Sequence, residues 1–149
     1  MEEVLQGLRD RVGAELGVSD WIEVTQERVN AFADATDDHQ FIHVDPERAA
    51  QTPFGGTVAH GYLTLSLVVP LAAQVEMDVG SPRMGVNYGL DRVRFPAPVP
   101  VGSRIRARVA LEGVDEVPGG IHMKRTVTME IEGGDKPAMV AEVLTRLYY

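Results

Sequence analysis

The chain has 149 residues, no cysteine, and 14 Lys+Arg against 22 Asp+Glu, a formal charge of -8 at pH 7. Without cysteine there is no disulfide scaffold, thiolate nucleophile, iron–sulfur cluster or Cys-ligated zinc. The acidic balance argues against a nucleic-acid partner, which needs a basic face to displace counterions, and 44% hydrophobic residues argue for one folded domain over residues 1–149.

Taken in order, Val4, Leu5, Leu8, Val12 and Leu16 stand at helical spacing and predict an amphipathic helix over 2–16, a helical extension ending near Gly17. Residues 21–24 read as a short strand. Thr25 is a suitable N-cap for a helix with Val29, Phe32 and Ala33 on one face, stopping near Thr36-Asp37. The stretch from Asp37 to Gly61 reads as irregular, except that Asp45-Pro46 starts a short helical piece, since proline fits the first helical position after a cap. From Gly61 to about Val75 the chain is almost all apolar and predicts a central helix buried on nearly every side. That run is interrupted by Ser66 and Pro70 and falls short of the ~18–20 apolar residues of a membrane span. No membrane association is expected, and the Met1-Glu2-Glu3 start, with no leader pattern, makes the cytoplasm the expected location.

After Pro82 the period becomes two. Residues 86–95, 103–112, 121–132 and 138–148 alternate as strands, separated by proline- and glycine-rich turns. The reading is an α+β domain in which consecutive antiparallel strands form a meander packed on one buried helix. Six arginines oppose one aspartate between Arg83 and Ala110, a segment able to meet an anionic ligand or simply to lie solvated on strand faces.

Reactive groups concentrate in Asp37-Asp38-His39-Gln40-Phe41-Ile42-His43-Val44-Asp45. A carboxylate and an imidazole on one loop can divide a proton transfer, one taking the proton while the other orients water; the same residues also suit a solvated loop with a helix cap. His39, His43, Asp45 and His60 offer donors for a metal, but the Glu of H-E-x-x-H is missing, so no metal is expected. Amides near Gly61, at the start of the buried helix, would lack backbone partners and carry partial positive charge. Glycine there permits close approach of a ligand or merely close packing. Ser66 can reach an active-site carboxylate or satisfy a backbone carbonyl, and no G-x-S-x-G elbow surrounds it.

Asp38-x-x-x-x-His43-x-Asp45, then Phe54-Gly55-Gly56-Thr57-Val58-Ala59-His60-Gly61, the helix with Ser66, and Gly89 to Ser103 together resemble the MaoC-type dehydratase family, its NodN-like branch above all, over about residues 20–148. The resemblance implies a hot-dog fold, an antiparallel sheet wrapped around a long central helix. It also implies reversible addition of water to a trans-2-enoyl thioester of coenzyme A or acyl carrier protein, giving the (R)-3-hydroxyacyl product, with no cofactor. By the same resemblance Asp38 is the base, His43 holds the water, the Gly61 amide binds the thioester oxygen and Ser66 orients Asp38. Gln40 and Phe41 stand where the family commonly has Asn and Pro in D-x-N-P-x-H, which bears on loop and pocket shape. Phe41, Phe54, Tyr62 and residues of the helix are expected to line the acyl slot, the arginine-rich segment to supply some of the positive charge for coenzyme A phosphates, and two chains to pair as a homodimer. A hot-dog thioesterase and a non-catalytic acyl-thioester-binding subunit are the alternatives.

Overall fold

The computed structural model describes all 149 residues. Helix α1 covers Glu2–Arg9 and β1 covers Glu15–Val18. The helix is half as long as its apolar spacing predicts. Gly13 turns the chain at φ +88, Val12 is exposed, and Leu16 keeps its helical register only by coincidence, since it lies in β1. Leu5 and Leu8 seal a satellite core with Leu111, Ile121 and Met123 at one end of the sheet.

Strand β2 is Ile22–Glu23 and α2 is Gln26–Thr36, whose Thr25 cap accepts a hydrogen bond from the Arg28 amide at 3.1 Å. Val29 and Ala33 are buried, as their spacing predicts. Two single-turn helices follow, α3 (Phe41–Val44) and α4 (Pro46–Ala49), the second capped by Asp45 through the Arg48 amide. The stretch expected to be irregular is therefore partly helical.

The central rod is α5 (Gly61–Ser66) and α6 (Val68–Ala72), interrupted at Leu67. Pro70 explains the break: it has no N–H to give the Ser66 carbonyl one turn back. Leu63, Leu67, Val68 and Leu71 face the sheet, but Tyr62 is 71% and Val69 55% exposed. Burial on every side is thus not found. An apolar run reports composition, whereas the rod has sheet on one flank only.

Strands β3 (Met84–Arg94), β4 (Arg104–Val117), β5 (Gly120–Ile131) and β6 (Met139–Tyr148) complete an antiparallel sheet in the order β1-β4-β5-β6-β3, with β2 beside the start of β4. β4 to β6 form the expected meander. β3 does not join β4 but crosses to the far side of β6 (Val86 opposite Arg146, Leu90 opposite Val143), so the meander is only three strands long. β4 and β5 meet at Pro118-Gly119, with Gly119 at φ +76; a Cβ on Gly120 would fall 2.0 Å from the Leu147 carbonyl oxygen. No helix is long and apolar enough to cross a membrane.

The outward arginines of β4 are not an open anion site. Arg104 pairs with Glu132, Arg106 with Glu130, and Arg108 with both Glu15 and Glu130. The Arg104 guanidinium holds the Glu132 carboxyl below the usual carboxylate range by hydrogen bonding. Three of the six arginines expected to supply charge for coenzyme A phosphates are thus ion-paired within the chain. Their partners come from strands remote in sequence, which local charge counting cannot see.

Leu71 is fully buried between rod and sheet. Leu71→Ala should cost about 2–5 kcal/mol by opening a cavity, read as a lowered midpoint in chemical denaturation with an unchanged slope.

Candidate active site

The site begins where α2 ends. Asp37 caps the helix in the left-handed region at φ +58, a conformation that the short polar side chain of aspartate tolerates. The chain reverses there and presents Asp38 to solvent, its carboxylate held loosely by the Gln40 amide at 3.4 Å. His39 turns away, its Nε2 lying 2.8 Å from Asp34.

One turn of α3 then buries His43. Its Nδ1–H donates to the Val58 carbonyl at 2.6 Å, so Nε2 is the lone-pair nitrogen of the neutral ring. The surrounding backbone is cross-tied. The Val58 amide donates to Ile42, the Ala59 amide to Val99, and the Val101 amide to Thr57. Gln26 clamps both sides, donating to the His43 carbonyl at 2.7 Å and accepting from the Thr57 hydroxyl at 2.6 Å.

His60 completes the group, and the sequence reading gave it no catalytic part. It precedes α5, is 2% exposed, and donates from Nε2 to the Asp38 carbonyl at 2.9 Å. Its ring stacks on His43 at 3.9 Å and 24°, with Phe32 tilted against the other side at 4.9 Å. Its Nδ1 is buried without a partner. One donor or acceptor atom from each of Asp38, His43 and His60 lies within 4.8 Å of the others. The available signal was position, since His60 directly precedes the glycine that opens the buried helix.

Of the four donors considered for a metal, His39 pairs with Asp34 and Asp45 caps α4, while His43 and His60 converge with Asp38 in a group whose spacing could hold an ion. Gly61 opens α5, so its N–H has no intrahelical partner. A Cβ at Gly61 would sit 3.3 Å from the Phe95 ring, so close packing is also a reason for glycine there.

Other expected residues lie elsewhere. The Ser66 hydroxyl donates to the Tyr62 carbonyl at 2.7 Å, so in this chain it does not hold Asp38. Gln40 precedes α3 and caps nothing with its side chain. Phe41 is covered by the Arg48 guanidinium at 4.0 Å, and Phe54 and Tyr62 are open to solvent. None of these three aromatics lines the cavity of about 410 Å³ that runs between the α5–α6 rod and strands β3, β5 and β6 from Ser66 past Val69 to Val143. The helix residues expected beside those aromatics do line it, Leu65, Val68 and Val69 among them, and it opens where β3 swings around β6.

A six-stranded antiparallel sheet backed by one interrupted helical rod is a hot-dog domain, and its carboxylate–imidazole group lies at the rod's N-terminal end. The model of the MaoC like domain matches residues 8–132. The chain is 52% identical over 145 residues to 3-hydroxyacyl-thioester dehydratase Z of Mycobacterium tuberculosis, covering 97% of this chain and 95% of that one. It is 48% identical over 148 residues to Nodulation protein N of Rhizobium leguminosarum bv. viciae, covering 97% and 91%. Among solved structures, the (R)-hydratase from A. caviae involved in PHA biosynthesis superposes with a TM-score of 0.70 at 26% identity, covering 89% and 97%. The chain belongs to the MaoC-like dehydratase family of hydro-lyases.

His60→Leu deletes the donor to Asp38 and strands a carbonyl beside a buried ring. It should cost about 1–3 kcal/mol in chemical denaturation, and His60→Gln, which keeps a donor at similar reach, should cost less.

Proposed function

We propose that the chain catalyses (R)-specific, reversible addition of water to trans-2-enoyl thioesters, with Asp38 and His43 as the acting pair. The observation that carries this reading is the group itself: an exposed carboxylate and a buried imidazole of defined tautomer, converging at the N-terminal end of the rod. Relatives named as a 3-hydroxyacyl-thioester dehydratase and an (R)-hydratase support the thioester as substrate class.

In this reading a water sits between the Asp38 carboxylate and His43 Nε2. The thioester oxygen takes the Gly61 N–H, drawing electron density from C3. Asp38 accepts a proton as the water oxygen bonds to C3 and the π electrons move toward the thioester oxygen. As the enolate collapses, C2 takes a proton through Asp38 and the His43 contact. The net change is OH on C3 and H on C2, and both residues return to their starting state. The reverse path is dehydration. His60 supports the pair by fixing the Asp38 backbone and stacking on His43.

The functional unit in this proposal is a homodimer. β3 is an edge strand whose outer edge has no partner, and Met84, Val86, Tyr88 and Leu90 are exposed along it. Such an edge is an invitation to pair unless covered. Sedimentation equilibrium should give twice the chain mass at micromolar concentration; a monomer there overturns this part.

Asp38→Asn and His43→Ala should each keep the fold and lose on the order of 10²–10⁴-fold in kcat, the usual loss for a positioned acid–base group. The assay follows loss of enoyl absorbance with trans-2-enoyl-CoA. Near-normal turnover in either variant removes that residue from the mechanism. Release of free thiol makes the protein a thioesterase, and thioester binding without turnover makes it a binding subunit.

A further inference from the structure

Strand β5 turns Ile121, Met123, Val127 and Met129 toward the core, all at most 2% exposed. The same alternation puts Arg125, half-buried, on that face, opposite Leu111 and Val143. The other cations of β4 and β5 named above lie on the outer face with carboxylates, and Lys124 likewise has Asp91 and Glu142. Arg125 has none. Its Nη2 donates to the Thr145 hydroxyl at 3.0 Å and its Nε is buried without a partner. Burial lowers the Arg125 pKa with no charge to offset it, yet a guanidinium does not give up its proton in a protein. An uncompensated charge at a core-facing position is costly, and nothing in the packing of the chain requires it.

What Arg125 does face is the 410 Å³ cavity, of the size that takes small ligands. Ser66 and Val69 line it on the rod, about 7 and 12 Å along the helix axis from Gly61 at 1.5 Å per residue. Thr145, whose oxygen already accepts from Arg125, keeps a hydroxyl proton to give, and Asn87 stands opposite it across the β3–β6 ladder. The cavity is thus apolar along the rod and carries donors at Arg125 and Thr145.

We propose that the cavity takes the acyl chain of the thioester and that Arg125 binds a carboxylate at its far end, making the preferred substrates ω-carboxylated enoyl thioesters. The inference rests on the hydratase reading above. The thioester lies at Gly61 and the apolar chain follows the rod. The terminal carboxylate takes the unpartnered Nε–H and an Nη–H together, the two-point geometry a guanidinium offers.

The test compares trans-2-octenedioyl-CoA, which ends in a carboxylate, with trans-2-octenoyl-CoA, which ends in a methyl. Wild-type kcat/KM should favour the first by at least about tenfold, because a buried donor left unpaired penalises the analogue that lacks its partner. In Arg125→Met that ratio should collapse to one or below while the melting temperature holds or rises. Arg125→Lys should retain part of the ratio and serves if the Met variant does not fold. A wild-type preference for the methyl-ended chain, or an equal loss on both chains in Arg125→Met, overturns the proposal. So does no preference at all, the result expected if a second copy of the chain supplies Arg125 with a carboxylate. Calorimetric binding of saturated suberyl-CoA and octanoyl-CoA separates this inference from the reaction. Equal affinities with brisk crotonyl-CoA turnover leave the hydratase standing and sink the Arg125 assignment. A suberyl preference with no turnover of any enoyl thioester does the reverse.

Discussion

Leu63, Leu67, Val68 and Leu71 of the central rod pack against Ile105, Ala107, Val109, Val127, Met129 and Ala141 of the sheet, and the rest of the molecule is arranged around that seam. Burial there is non-directional and strong, and it fixes the rod's axis and rotation against the strands. With the rod fixed, its first residue is fixed, and so is the place where the Asp37–His60 segment must arrive. The hydrogen bonds of that segment then do what packing cannot. Gln26, Val58 and His60 set the tautomer and orientation of His43 and the position of Asp38 to within the reach of single bonds. A hydrophobic seam sets the coarse placement and a small polar lattice sets the fine placement. Asp38, the proposed base, is left exposed.

Much of this was legible beforehand, and the reasons differ by element. β4, β5 and β6 announce themselves because one face is buried and period-two alternation records it directly. The α2 cap and the Asp45-Pro46 start are local chemistry, so local sequence suffices. The Asp38–His43 pair was visible as spacing and through family resemblance, and the structure brings the two within reach of each other. Other features depend on what lies across the sheet. β3 has the same alternation whether it pairs with β4 or β6, so its place was beyond reach. The arginines of β4 looked free because Glu130 and Glu132 are more than twenty residues away. Ser66 was expected from the resemblance to orient Asp38, whereas its hydroxyl donates to the rod's own backbone. Arg125 shares the inward face with Ile121, Met123, Val127 and Met129 by alternation, but only the structure shows that no carboxylate reaches it.

The site also shows why four histidines in one chain are not equivalent. His39 is exposed beside Asp34, and His122 meets Tyr88 edge-on at 5.2 Å on the sheet. His43 and His60 alone share a face, and each spends one nitrogen on a carbonyl. Committing one nitrogen fixes the tautomer, and fixing the tautomer decides which nitrogen can accept from water. The free nitrogen of each ring is therefore set by the backbone carbonyls of Val58 and Asp38 as much as by the imidazoles they hold.

The crossing of β3 to the outside of β6 carries a cost in time. β3 is synthesised before the strand it pairs with, and about fifty residues separate the two, so at 5–20 residues per second the ribosome leaves it waiting for several seconds. During that interval Val86, Tyr88 and Leu90 belong to a strand with no partner on either side. The closing contacts of this topology are non-local, with β1 also pairing a strand some ninety residues away, and non-local closure is slow. Nascent chains of this protein therefore carry an unpaired apolar strand for seconds, and crowded synthesis selects for whatever keeps copies apart until β6 emerges.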